Sequence, residues 1–141
     1  MRLQHGAVAL AMWSATACMA APTLPPQAAA GDLLFRRGPE NVSHLVQAVD
    51  HGDFSHVALL VGRPGQWQVL HATPSERPGQ ADAVVLDSLD FFLSPQRTRS
   101  YRLYQVGADL GARQQAVAWA LAQQGRPFDM LDAQQGIYCT T

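Results

Sequence analysis

The sequence lacks the features that mark several common classes of protein. Cysteine occurs only at Cys18 and Cys139, so at most one disulfide can form and a disulfide-rich scaffold is excluded. The formal net charge is −1 and no basic stripe is present, which argues against a nucleic-acid partner. Lysine is absent and all ten cationic residues are arginine, a bias that carries no functional conclusion. No nucleotide or cofactor motif is present.

What is present suits one folded domain. The chain has 141 residues, of which 48% are hydrophobic and 15% charged. A chain of this length and composition can bury a core and is not expected to be disordered.

The N-terminal residues 1–20 predict a secretory signal. Arg2 supplies the positive start, and an uncharged apolar run extends from Ala7 to Ala20. This run is shorter than the ~20 apolar residues that a membrane-spanning helix needs. A proline-containing linker over 21–30 then precedes the predicted domain at 31–141. We therefore expect an exported protein of the periplasm or cell envelope.

Cys18 leaves two alternatives open for this segment. The stretch from Ala15 to Cys18 loosely resembles the lipoprotein box, in which the cysteine is lipidated, although it lacks the usual leucine at Ala15. A lipidated Cys18 would tether the protein to a membrane. An ordinary cleaved signal would remove Cys18 and leave Cys139 as the lone thiol of the mature domain.

The order of apolar runs and turn residues predicts an α+β fold around a mostly antiparallel sheet. Strands are predicted at 31–36, 54–61, 66–72, 83–86 and 100–106, and helical segments at 41–49, 88–92 and 109–124. The strands at 54–61 and 66–72 should form a hairpin across Arg63 to Gly65. Asn41 or Ser43 is expected to cap the first helix. Apolar faces are expected on the first helix (Val42, Leu45, Val46, Val49) and on the last (Leu110, Val117, Ala118, Trp119, Leu121).

Two histidines have positions that suit acid–base chemistry. His56 opens a strand that is otherwise apolar, and a rigid sheet holds a general base in place. His71 lies fifteen residues later, so the hairpin puts both imidazoles on one face, one strand apart. A second polar group beside a catalytic histidine fixes its tautomer. A structural histidine is the alternative for each, and for His56 the position alone favours that alternative.

Cys139 is the candidate nucleophile. A thiol becomes a good nucleophile when a nearby imidazolium or a helix N-terminus favours its thiolate, and an inert buried cysteine is the alternative. A metal site formed by Cys139, His56 and His71 is the weakest interpretation, because the chain has no closely spaced ligand pair. Glu76 and Arg77 fit a solvated loop better than a cleft.

Five segments in this order carry a resemblance that extends from Gly31 to the end of the chain. They are residues 31–35 (GDLLF), 53–62 (DFSHVALLVG), 69–72 (VLHA), 125–129 (GRPFD) and 138–140 (YCT). The sequence resembles the permuted papain-like cysteine hydrolases of the YiiX/YebB/YaeF group, within the NlpC-type superfamily. In the permuted members the histidine precedes the cysteine, as it does here.

The resemblance implies roles for individual residues. Cys139 would be the nucleophile, His56 its base and His71 the third polar residue that orients the base. The backbone N–H of Cys139 would contribute to an oxyanion hole, and Asp129 would be structural. The implied reaction is thiolate attack on an amide or ester carbonyl, with a thioester intermediate and no cofactor or metal.

One departure from the family concerns the residues after the nucleophile. The family continues with a helix there, whereas only Thr140 and Thr141 follow Cys139. We therefore expect a C-terminally truncated domain without this helix and its dipole, with one sheet face less covered. The family assignment is expected to hold, and the activity of the chain as given is in doubt.

Two functions remain open. The first is an exported cysteine hydrolase, amidase- or peptidase-like, acting on peptides, peptidoglycan or a lipid acyl group. The second is a catalytically inactive envelope binding module that keeps the fold. The reactivity of the Cys139 thiol would distinguish them.

Overall fold

The computed structural model describes residues 22–128 and contains eight regular elements. In chain order these are β1 (Leu33–Arg37), α1 (Asn41–Asp50), β2 (His56–Arg63), β3 (Gln66–Thr73), β4 (Ala83–Ser88), α2 (Leu89–Phe92), β5 (Ser100–Tyr104) and α3 (Leu110–Leu121). Every predicted element is found, and the boundaries shift by a few residues.

The strands form one five-stranded sheet in the order β4-β3-β2-β1-β5. All four pairings are antiparallel. The strands β2, β3 and β4 follow one another both in the chain and in the sheet, whereas β1 pairs with the distant β5. The α+β fold with a mostly antiparallel sheet is confirmed.

The β2–β3 hairpin depends on glycine at two positions with positive φ. Arg63 pairs with Gln66, so Pro64 and Gly65 form the turn, and Gly65 has φ of 82°. Gly62 has φ of 99°, and a Cβ there would lie 2.5 Å from the carbonyl oxygen of Gln66. Position 62 therefore requires glycine both for its positive φ and because a Cβ has no space there.

The two sheet faces carry different cores. The face that holds His56 and His71, here called the histidine face, packs against α2 and residues near Ala28. Its buried cluster contains Ala28, Leu34, Ala58, Leu60, Val69, Leu89, Phe92 and Leu93. The opposite face has a smaller cluster of Val61, Leu70, Ala72, Val84 and Phe128, against which Val117, Ala120 and Leu121 of α3 pack.

Two expectations about the helices were wrong in detail. Glu40 is the N-cap residue of α1, and it makes no side-chain capping hydrogen bond, so neither Asn41 nor Ser43 caps this helix. Ser43 instead donates its hydroxyl to the Glu40 carboxylate at 3.1 Å. The predicted apolar face of α1 leaves Leu45 and Val49 exposed.

The helix α3 is covered only in part. Asp109 is its N-cap and accepts a hydrogen bond from the backbone N–H of Ala112 at 2.8 Å. Leu110 and Trp119, predicted to belong to its buried stripe, are 71% and 62% exposed. Within residues 22–128, no helix is long and apolar enough to cross a bilayer.

Candidate active site

The two histidines singled out by the sequence are in direct contact on the histidine face. The Nε2 atom of His56 lies 2.8 Å from the Nδ1 atom of His71. Leu59 pairs with Leu70, which makes His71 a diagonal neighbour of His56 across the β2–β3 ladder. His71 is buried and His56 is partly exposed, so His56 is the ring that a substrate or another side chain can approach.

A buried carboxylate lies behind His71. The Oδ2 atom of Asp87, on β4, is 3.1 Å from Nε2 of His71. Its Oδ1 atom lies 2.5 Å from Nη1 of Arg77, a charge contact rather than an aligned hydrogen bond. Side chains from three consecutive strands therefore form one continuous line, from His56 through His71 to Asp87, which ends at Arg77 in the β3–β4 loop.

Arg36 and Phe92 also lie beside the two histidines. Arg36 is opposite His56 in the β1–β2 register, and its Nη1 donates to the carbonyl oxygen of Phe92 at 2.9 Å. The Phe92 ring contacts both imidazoles, with centroid distances of 5.7 Å to His56 and 5.0 Å to His71. The guanidinium of Arg36 also stacks on this ring. One side of the site is therefore formed by the Phe92 ring, with the positively charged Arg36 stacked on it.

The environment sets the charge state of the two ends of the line. Burial lowers the pKa of His56 well below its ordinary value of 6.5, and the positive charge of Arg36 lowers it further. Burial alone would raise the pKa of Asp87, but its contacts with His71 and Arg77 outweigh burial, so this pKa lies below the ordinary 3.8. Near neutral pH, His56 is therefore neutral and Asp87 is ionised.

Glu76 was expected in a solvated loop but is tied into the site. Its carboxylate forms ion pairs with Arg36 and Arg97 and accepts a hydrogen bond from Thr73. Arg97 also donates to the backbone carbonyl of Glu76 at 3.0 Å. The expectation for Glu76 was therefore wrong, because its partners come from distant elements that a sequence does not bring together. Arg77 is exposed, as expected for a solvated loop, and its guanidinium pairs with the buried Asp87.

A metal ion could in principle use His56, His71 and Glu76, whose ligand atoms lie within 4.8 Å of one another. However, the two imidazole nitrogens already bond to each other, and the Glu76 carboxylate is neutralised by two arginines. A cation would have to break both arrangements beside the fixed charge of Arg36. The donor set therefore fits a hydrogen-bonded base better than a metal site.

The large cleft of the structure does not coincide with the cluster of ionisable side chains. A cleft of about 1040 Å³ is located at the far end of β2 from His56, around the β2–β3 turn and Trp67. Its lining includes Arg63 and Asp90 but neither histidine. Depressed pKa values and connected polar side chains are the better guide to reactivity, and they favour the histidine face.

The remaining predicted residues are not placed. Cys139 and Asp129 lie outside the described residues, as does Cys18. The structure thus brings His56 and His71 together, while the catalytic roles assigned to Cys139, His56 and His71 stay predictions. Sequence reasoning missed Asp87, although a charged residue after Val84, Val85 and Leu86 in an apolar strand was a usable signal.

Comparison with known proteins gives a family. A model of the permuted papain-like amidase enzymes, the YaeF/YiiX or C92 family, matches residues 27–141. Searches of curated proteins and of solved structures found no match. The match covers the whole described sheet and extends over Tyr138 and Cys139. With histidines on adjacent strands and a family match over most of its length, the chain belongs to the permuted papain-like amidase family of YaeF/YiiX type.

Proposed function

We propose that this protein is an exported cysteine hydrolase that cleaves an amide or ester bond. The observation that carries the proposal is the 2.8 Å contact between Nε2 of His56 and Nδ1 of His71, on one face of a rigid sheet. In this proposal Cys139 is the nucleophile, His56 its base and His71 the residue that orients the base. The signal-like residues 1–20 support export to the cell envelope.

The chain length permits Cys139 to reach His56. Phe128, the last described residue, is anchored beside β4, where its N–H bonds to the carbonyl oxygen of Asp82 at 3.2 Å. The eleven residues from Phe128 to Cys139 can extend to about 38 Å. Crossing from β4 to β2 takes about 10 Å, the width of two strand spacings, and passing around the β4 edge from the opposite face, where Phe128 packs, takes roughly 10 Å more. The thiol could therefore come beside the exposed side of His56.

The reaction proceeds in two halves. Neutral His56 accepts the proton of the Cys139 thiol while the sulfur attacks the carbonyl carbon, giving a tetrahedral oxyanion. The imidazolium then protonates the leaving amine or alcohol as the carbon–heteroatom bond breaks, which leaves a thioester. Water attacks the thioester with His56 again as base, and the acid and the free thiol are released. Peptides, peptidoglycan peptides and lipid acyl groups are all compatible substrates.

Alkylation of Cys139 by iodoacetamide across a pH series tests the Cys–His pair. A free cysteine has a pKa of about 8.5, so only a few per cent of it is thiolate at pH 7. Since His56 is neutral near pH 7, we expect it to act as a general base that makes the wild-type thiol react faster at pH 7 than this small thiolate fraction allows. A His56→Ala variant should react on the order of tenfold more slowly at pH 7, while a variant of the exposed His44 (His44→Ala) should react like wild type. An alkylation rate at pH 7 that is indifferent to His56 would support the inactive binding module instead.

A further inference from the structure

We propose that Asp87 is a positioning residue for the base, which acts through His71 by fixing the tautomers of both imidazole rings. This inference rests on the proposed function of His56. It goes beyond that function because it assigns a fourth member to the site and specifies which nitrogen of His56 takes the proton.

The tautomers follow from counting donors and acceptors along the line. An ionised carboxylate only accepts hydrogen bonds, so Nε2 of His71, 3.1 Å from Asp87, must carry the proton. A neutral imidazole carries one proton, which leaves Nδ1 of His71 as an acceptor. The Nε2 atom of His56, 2.8 Å away, must then be the donor. The unprotonated nitrogen of His56 is therefore Nδ1.

In this arrangement His71 is neutral and lies at the centre of the line. The reverse arrangement would need an imidazolium at His71, which would donate to both neighbours. The negative charge of Asp87 is already met by Arg77, and that of Glu76 by Arg36 and Arg97. An additional cation on His71, which is 1% exposed, would be both desolvated and surplus.

This arrangement suits a base that must gain and lose a proton. When His56 accepts a proton at Nδ1, its Nε2–H continues to donate to His71, and no hydrogen bond in the line has to break. The opposite tautomer of His56 would point its lone pair at His71 and its N–H at the nucleophile. Asp87, without touching the reacting atoms, selects the useful tautomer.

Among residues 22–128, the contacts of Asp87 differ from those of Asp32, the other buried carboxylate that is paired with an arginine. Asp32 accepts hydrogen bonds from the backbone N–H groups of Ala29 and Val106 and pairs with Arg113, so it ties chain segments together. The carboxylate of Asp87 instead contacts the side chains of His71 and Arg77. Asp32 is therefore the matched control for a carboxylate that is buried and paired but remote from the histidines.

An Asp87→Asn variant changes the donor pattern with little change in shape. The amide has one oxygen, which can face Arg77 or His71 but not both. Since a guanidinium needs an acceptor, we expect the amide N–H₂ group to face His71. His71 must then accept at Nε2 and carry its proton on Nδ1, which turns the line of hydrogen bonds around.

The test reads the tautomers directly by long-range ¹H–¹⁵N correlation of the ¹⁵N-histidine-labelled full chain. The spectra are recorded at about pH 8, above the ordinary histidine pKa of about 6.5. His56→Gln and His71→Gln variants assign the signals. We expect the Nε2–H pattern for both rings in the wild type and in Asp32→Asn, and the Nδ1–H pattern for His71 in Asp87→Asn.

The wild-type spectrum alone can overturn the proposal, even if Asp87→Asn fails to fold. A wild-type His56 with the Nδ1–H pattern, or a protonated His71, would do so. So would a folded Asp87→Asn protein with unchanged tautomers. In the same samples, alkylation of Cys139 at pH 7 should slow several-fold in Asp87→Asn, and by no more than the roughly tenfold loss expected for His56→Ala. An unreactive wild-type thiol would overturn the nucleophile assignment, while the tautomers still decide the role of Asp87.

Discussion

At the residue scale, His71 is hydrogen-bonded to both His56 and Asp87. If His71 orients His56, a replacement should retain Cys139 reactivity only if it can still accept the hydrogen bond from His56. An asparagine at this position keeps an acceptor near the place of Nδ1, within reach of His56, whereas a leucine keeps volume and loses the acceptor. We expect His71→Asn to retain part of the Cys139 alkylation rate at pH 7 and His71→Leu to lose on the order of tenfold. Equal rates for the two variants, both folded by circular dichroism, would rule out an orienting hydrogen bond.

The sequence was informative about these residues to different extents. His56 and His71 could be found because hairpin geometry and the two-residue period of a strand place them on one face. Asp87 lies in the next strand with the same period and was overlooked inside an apolar run. The roles of Glu76 and Arg77 could not be predicted, because the path of the β3–β4 loop decides which charges they meet.

At the scale of single elements, the β2–β3 hairpin gives a comparison of two glycines. Gly65→Ala places a side chain in open space at a positive φ, which costs about 1–2 kcal/mol. Gly62→Ala has the same backbone penalty and also drives a Cβ to within 2.5 Å of the Gln66 carbonyl oxygen. We therefore expect a clearly larger loss in the free energy of unfolding for Gly62→Ala, measured in urea. A larger loss for Gly65→Ala would contradict the described turn.

The helices show where prediction from the sequence stops. The positions of α1, α2 and α3 could be predicted from the spacing of apolar residues and from flanking turn residues. Ser88 caps α2 as expected, and its hydroxyl accepts a hydrogen bond from the N–H of Phe91. The sequence could not predict which face of each helix is buried, because burial depends on the element that lies opposite. Val49 and Trp119 are apolar at the expected spacing and yet 75% and 62% exposed.

At the scale of the whole molecule, the titrating groups predict how stability changes with pH. The folded-state pKa values of His56, Asp32 and Asp87 all lie below their ordinary values. A depressed pKa means that the unfolded chain binds protons first, so the stability it contributes is complete above the ordinary pKa and is lost as the pH falls through the folded value. We expect stability to decrease from about pH 6.5 downwards through His56, and again below about 3.8 through the two carboxylates.

The urea concentration at the midpoint of unfolding, recorded between about pH 4 and 8, measures the decrease in stability that is due to His56. Each group contributes a slope of at most about 1.4 kcal/mol per pH unit within its window. His56→Gln should remove the decrease that begins near 6.5, whereas His44→Gln, at an exposed position on α1, should leave it in place. A wild-type midpoint that stays constant down to about pH 4 would show that His56 titrates normally.

The sheet order has a further consequence for the time course of folding. His56, His71 and Asp87 belong to three strands that are consecutive in the chain, within 32 residues. The pairing of Leu33 with Tyr104, between β1 and β5, closes a much longer loop. Short loops close with less entropy loss and contacts between near neighbours form faster, so we expect the histidine line to assemble before the β5 edge is in place. A refolding chain would then bring His56, His71 and Asp87 together while the sheet is still being completed.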